Sequence, residues 1–283
     1  MRRAVLFVLA GIVSVQLGAA VAKDLFGRID PTAMVWLRLL TSTVVLLAIA
    51  RPALRGRTRA DWLVVLGFGA SLGLMNWAIY QSFARIPLGL AVTIEFVGPL
   101  SIAVLGSRRA RDLVWVALAA VGVVLLGFEP AGVTVAGVVF ALLAAAAWAS
   151  YILLSAGTGR RWPGIDGLAI ASTFAVLPLT PFAVAAGGDT LLDPTVLALG
   201  AAVGLLSSVV PYSLELNALR TLEPRVFGIL MSLEPAAAAM AALVVLGELL
   251  EPLQWLAMAC VVAASVGATA SGRAAVQTEP APD

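Results

Sequence analysis

Apolar residues gather into ten runs, set apart by short polar or charged segments. The runs cover approximately residues 4–22, 31–50, 62–84, 87–106, 113–128, 133–155, 167–186, 195–219, 226–247 and 253–270. A helix needs about 20 mostly apolar residues to cross ~30 Å of hydrocarbon. Most of the runs meet that length, and the fifth is the shortest. In lipid every backbone N–H and C=O must be satisfied within the protein, and continuous apolar runs achieve this as helices. The pattern therefore predicts an all-α membrane protein with ten transmembrane helices. The polar stretch 271–283, with two prolines, reads as a disordered tail. Arg2-Arg3 ahead of the first run, with Ala20-Val-Ala22 near its end, is the outline of a secretory signal peptide. Cleavage there would leave the first half one span short of the second, so the run is read as a retained first helix.

The fourth and ninth runs carry the same unusual arrangement. Gly89 precedes Glu95 by six residues with Pro99 following, and Gly228 precedes Glu234 by six with Pro235 following. Each glutamate lies eight residues past the start of its run, about 12 Å deep at 1.5 Å per residue. Ionisable groups near the bilayer midplane are costly and mark functional positions by default. Their matched placement predicts an internal repeat: residues 1–128 and 133–270 as two five-helix units, with 129–132 as the linker. An odd number of helices per unit inserts the second copy upside down. Such an inverted repeat places a solute site at the interface of the units, near the midplane.

Composition narrows the class further. The chain is 61% hydrophobic and 12% charged, far from the ~45–50% apolar and ~25% charged residues of soluble domains. The net charge of +2 offers no nucleic-acid-binding face. With a single cysteine, Cys260, an intramolecular disulfide is impossible, and with no histidine a His-based metal site or nucleophile pair is impossible too. No metal, cofactor or catalysis is expected, since no aspartate lies mid-span to build an intramembrane carboxylate pair. A Gly-x-x-x-x-Gly-Lys loop is absent, so a gradient rather than ATP would supply any driving force. Fourteen basic residues, among them Arg2, Arg3, Arg55, Arg57, Arg109 and Arg161, fall on the side of the N-terminus, against Lys23, Arg28 and Arg85 on the other. The positive-inside rule then places both termini in the cytoplasm, in a multi-pass protein of the cytoplasmic membrane.

The candidate chemistry lies where polar groups stand inside the spans. Glu95 and Glu234 have two readings: a proton-coupling or substrate-ammonium site, or carboxyls that cap backbone groups released by Pro99 and Pro235. Arg38, seven residues into the second span, either holds a substrate carboxylate or pairs with one of those glutamates. Gln16, Trp77, Trp148 and Tyr151 supply the few polar and aromatic contacts that a small zwitterion wants in an apolar lining, although aromatic residues also populate the membrane interface. Gly98, Pro99, Pro211 and Pro235 are candidate hinges, or equally inert kinks. The alanine runs 144–147 and 236–239 are suited to close helix packing.

These residues bring a known family into view. Ten spans in two halves, with prolines in the fourth and ninth, resemble the EamA branch of the drug/metabolite transporter superfamily. Ile94-Glu-Phe-Val-Gly-Pro-Leu100, Ser107-Arg-Arg109 and Leu230-Met-Ser-Leu-Glu-Pro235 resemble the inner-membrane threonine/homoserine exporters, and Leu246-Gly-Glu248 matches a general family signature. The resemblance covers nearly the whole chain apart from its tail. It implies a secondary transporter exporting small amino acids by alternating access, with protons and the lipid bilayer as its partners. Other solutes of the superfamily (a nucleotide sugar, a purine, a cationic drug) and a passive channel are the alternatives.

Overall fold

The computed structural model describes residues 2–105, 113–125, 132–219, 222 and 224–271. The Ser107-Arg-Arg109 motif, most of the expected linker, and the tail beyond Ser271 lie outside the described residues. The described residues form helices and connecting turns, with no strand. Seven helical stretches are long and apolar enough to cross a membrane, and three shorter apolar ones (Leu88–Ile102, Leu113–Leu125 and Pro194–Val209) accompany them.

In order, α1 is Arg2–Asp24, α2 Pro31–Ala50, α3 Arg59–Phe83, α4 Leu88–Glu95, α5 Val97–Leu105, α6 Leu113–Leu125 and α7 Val135–Gly159. Then follow α8 Asp166–Val176, α9 Thr180–Gly187, α10 Pro194–Gly204, α11 Val210–Leu219, α12 Pro224–Met231, α13 Glu234–Leu246 and α14 Pro252–Ser271. Several starts are written in local sequence. Asp30 caps α2 by accepting from the Thr32 N–H at 2.7 Å, with Pro31 at the first helical position. Asp193, Pro194 and Thr195 repeat that device at α10. Thr58 and Asp61 form a reciprocal capping box at α3, satisfying two of the donors that a helix start leaves open.

Four of the expected spans are interrupted. The fourth stops at Glu95 and restarts at Val97, and the ninth stops at Met231 and restarts at Glu234. Pro99 has no N–H for the Glu95 carbonyl four residues back, and Pro235 has none for that of Met231, so the ladders fail there. The seventh turns 3-10 over Leu177–Leu179 around Pro178. The eighth contains a π turn over Leu205–Val209, just ahead of Pro211.

The bundle is organised by long-range pairs. α3 packs along α7 and α8, α1 along α11 and α13, α4 against α13 and α7, and α14 against α6. Lipid offers little hydrophobic drive between helices, so close backbone approach has to supply the packing. The alanine runs serve this purpose. A Cβ on Gly98 would run into the Ala145 carbonyl, and one on Gly89 would stand 3.0 Å from the Cα of Ala239. α4 and α13, which bear the two glutamates, therefore touch almost backbone to backbone. Large apolar side chains such as Leu63, Phe182 and Val244 cover the outer surface, where acyl chains would lie. At the end where α1 begins, Arg57 lies over the Trp162 ring and Trp62 meets that ring edge-on, with Arg161 and Asp61 ion-paired at 3.1 Å beside them.

Candidate functional site

The helix breaks surround a cavity of about 460 Å³. Its wall is shared by α1 (Val15, Gln16, Ala19), α2 (Arg38), α3 (Met75, Asn76, Ile79, Phe83), the α4–α5 break (Glu95, Phe96, Pro99) and α7 (Trp148, Tyr151). The later helices contribute Ser207, Pro211, Phe227, Met231, Glu234 and Ser265. The volume is that of a small-molecule pocket. Mostly apolar walls with two carboxyls and one guanidinium suit a small solute carrying both signs of charge.

Both glutamates stand at breaks, and in opposite senses. Glu95 is the last residue of α4, and Glu234 is the first of α13. They are buried to similar extents, 9% and 8% exposed, and both face the cavity. Around the first, Phe96 meets Trp148 edge-on at 5.5 Å between ring centres, so the break residue is held by an aromatic contact from α7. Around the second, Ser232 Oγ lies 3.1 Å from the Gly228 carbonyl, to which it donates, and 2.8 Å from Ser265 Oγ on α14.

Arg38 is fixed by the π turn. Within that turn the Val210 N–H bonds the Leu205 carbonyl five residues back, which releases the Leu206 carbonyl. Pro211 has no N–H for the Ser207 carbonyl. Both groups find donors on other helices: Ser14 Oγ donates to Leu206 O at 2.7 Å, and Arg38 Nη2 to Ser207 O at 3.2 Å. Arg38 Nη1 reaches Tyr80 Oη at 3.5 Å, and its guanidinium lies 5.5 Å from the Tyr80 ring centre. Among the described residues Arg38 makes no ion pair within 4 Å; the pairs found are Lys23–Glu248 and Arg161–Asp61. The hydrogen bonds described for the guanidinium thus go to a carbonyl and a phenol.

Of the residues singled out from sequence, Gln16, Arg38, Glu95, Trp148, Tyr151 and Glu234 line the cavity. Trp77 is not among the lining residues and meets Phe140 edge-on at 5.5 Å. Among the candidate hinges, Pro99 and Pro211 line the cavity, Pro235 is buried at the start of α13, and Gly98 is pressed against Ala145. Asn76, Ser207 and Phe96 were missed. Asn76, a lone amide in the third span, and the Ser207-Ser208 pair ahead of Pro211 were visible by the same rule that found Gln16. No group of three or more metal-binding side chains occurs among the described residues.

The chain is similar to known proteins over nearly its whole length. The description "EamA-like transporter family" fits two stretches, residues 2–128 and 135–270. The threonine/homoserine exporter RhtA of Escherichia coli K12 is 40% identical over 272 residues, 95% of this chain and 92% of its own length. The exporter of the same name in Salmonella typhimurium LT2 is 40% identical over 271 residues, 94% of this chain and 90% of its own length. YwfM, an uncharacterized transporter of Bacillus subtilis, is 32% identical over 179 residues, 62% of this chain and 59% of its own length. A crystal structure of a protein 18% identical superimposes with a TM-score of 0.60, covering 95% of this chain and 96% of that one. At that identity the match speaks to the fold alone.

Proposed function

We propose, from the premise that this chain belongs to the EamA-like transporter family, that it is an inner-membrane secondary transporter exporting small amino acids of the threonine or homoserine kind. The observation that carries this reading is the cavity at the paired helix breaks, with one glutamate from each half of the chain and Arg38 in its wall. A zwitterion presents an ammonium and a carboxylate a few ångströms apart. In our reading Glu95 or Glu234 meets the ammonium, Arg38 the carboxylate, and Gln16, Asn76, Trp148 and Tyr151 shape the rest. The same glutamates exchange protons with the solute cycle, which couples export to the proton gradient.

The architecture we assign is ten transmembrane segments in two inverted five-helix units, residues 1–128 and 133–270, with both termini cytoplasmic. The interrupted fourth, eighth and ninth spans support it, because broken helices at the midplane are the usual way such repeats build a solute site. Alternating access then requires one unit to rock against the other, with the breaks at Pro99, Pro211 and Pro235 as places where the angle changes.

The test is solute flux in proteoliposomes, loaded in parallel with radiolabelled threonine, homoserine or a nucleoside and followed with and without an imposed pH gradient. Saturable, gradient-stimulated movement of the two amino acids, with the nucleoside retained, is the expected result. Nucleoside movement without amino-acid movement would overturn the assignment of solute.

A further inference from the structure

The Leu246-Gly-Glu248 motif takes no part in the central cavity, yet its glutamate bonds to two other helices. Gly247 adopts a left-handed conformation at φ +67° and ends α13. The Glu248 N–H returns to the Ala242 carbonyl at 3.2 Å, the closing bond of a glycine-terminated helix. This turn sends the Glu248 side chain back across the bundle. One carboxylate oxygen accepts from the Leu88 N–H at 2.9 Å, the first residue of α4. The other pairs with Lys23, the chain's single lysine, near the end of α1. Lys23 Nζ also donates to the Ile86 carbonyl at 2.8 Å. One carboxylate thus ties α13 to α1 and α4.

The position of this tie gives it a consequence. On α1 the central cavity reaches Ala19, one turn short of Lys23, and on α4 it reaches Val92, one turn short of Leu88. Beyond the tie lies a second cavity of about 380 Å³, lined by Lys23, Arg85, Glu248 and Glu251. Phe83, only 3% exposed, is common to the walls of both cavities. Phe83 is where the two spaces adjoin, and the Lys23–Glu248 pair lines the second.

We infer that Phe83 is a gate between the central site and an exit vestibule, and that the Lys23–Glu248 pair is the clamp that holds it shut. The inference rests on the transporter reading. With the clamp closed the central cavity opens toward the end where α1 begins, the side on which Phe227, packed with Ala4 and Val8, and Thr269 line it. Parting Lys23 from Glu248 unties the end of α1 and the first residue of α4 from the end of α13, lets the Phe83 ring swing aside, and joins the two cavities. A vestibule carrying both signs of charge then receives the zwitterion on its way out.

The test needs no solute, so its failure is distinguishable from failure of the function assigned above. A reporter cysteine is placed in the central cavity as Val15→Cys, in a Cys260→Ser background of the full chain. Its reaction with a membrane-impermeant thiol reagent is followed in intact cells and in inverted membrane vesicles. The parent is expected to label much faster from one face than from the other. Phe83→Ala and Glu248→Gln, the second keeping an acceptor for the Leu88 N–H, are expected to label from the other face about tenfold faster than the parent. Phe83→Leu, which keeps the bulk, is expected to stay within about twofold of the parent. Helical circular dichroism and monodisperse elution show that each variant is folded. Equal labelling of the folded parent from both faces, or folded Phe83→Ala and Glu248→Gln variants that label from that other face no faster than the parent, would overturn the gate.

Discussion

The Ser207 carbonyl provides a quantitative test of how Arg38 is held. Its α-helical donor is missing because residue 211 is proline, and Arg38 Nη2 donates to it at 3.2 Å from another helix. Replacing Arg38 with methionine keeps much of the stem but withdraws that donor. A hydrogen bond from a charged group contributes about 1.5–3 kcal/mol in soluble proteins, and leaving a buried acceptor unmet costs about 1–3 kcal/mol. Interhelical hydrogen bonds within membranes average only ~0.6 kcal/mol, with a maximum near 1.7. The charged donor and the buried carbonyl put this bond at the upper end, so we expect about 1.5 kcal/mol. In a Pro211→Ala background the new N–H can serve the same carbonyl, and Arg38→Met then costs less by about that amount. The assay is a double-mutant cycle over the parent, Arg38→Met, Pro211→Ala and the double variant. Each is unfolded reversibly in mixed micelles by added dodecyl sulfate and followed by circular dichroism. Strict additivity of the two single changes would refute the claim that the proline creates Arg38's acceptor.

Glu95→Gln and Glu234→Gln should each remove pH-gradient-driven flux while folded protein remains in the membrane. Wild-type flux with wild-type pH dependence in both variants would exclude them from coupling. Gly98→Val should destabilise the bundle by about 1–3 kcal/mol in the same unfolding assay, because its Cβ meets the Ala145 carbonyl, which has no side-chain freedom to yield. Gly228→Ala should fall within about 0.5 kcal/mol of the parent. There the nearest atom is the Thr269 Cγ2 at 3.1 Å, the end of a side chain that can turn away. If the two glycine variants lose equal stability, backbone contact is not what sets the cost.

Depth along a span is what the sequence conveys best. The apolar run at about 31–50 coincides with α2, and Gln16, Arg38, Glu95, Trp148, Tyr151 and Glu234, all mid-span in the sequence, line one cavity. The rotation of a helix about its axis is harder to read. α3 is apolar on most of its circumference because α7 and α8 both pack on it, so no polar face sets its direction. Asn76 and Trp77 are neighbours at the same depth, yet Asn76 lines the cavity and Trp77 meets Phe140. The breaks were half visible. Pro99, Pro211 and Pro235 announce missing donors, but the groups that answer the released carbonyls lie far away in the chain. Nothing near Pro211 indicates that Ser14 and Arg38 are those groups. The role of Glu248 was hidden for the same reason: a glutamate after an apolar run looks like a loop residue until α1 and α4 are set beside it.

The separation of these partners has a consequence for how the protein is made. Ser14 finds its acceptor 192 residues later, Arg38 finds one 169 residues later, and the Leu88 N–H waits 160 residues for Glu248. At about 5–20 residues per second of synthesis, Arg38 is made roughly 8–35 seconds before Ser207. During that interval the nascent first half holds the Arg38 guanidinium with Tyr80 alone as its final partner, and the Ser14 hydroxyl without its acceptor. Truncated or stalled chains remain in that state, with polar groups displayed on helices that full-length protein would cover.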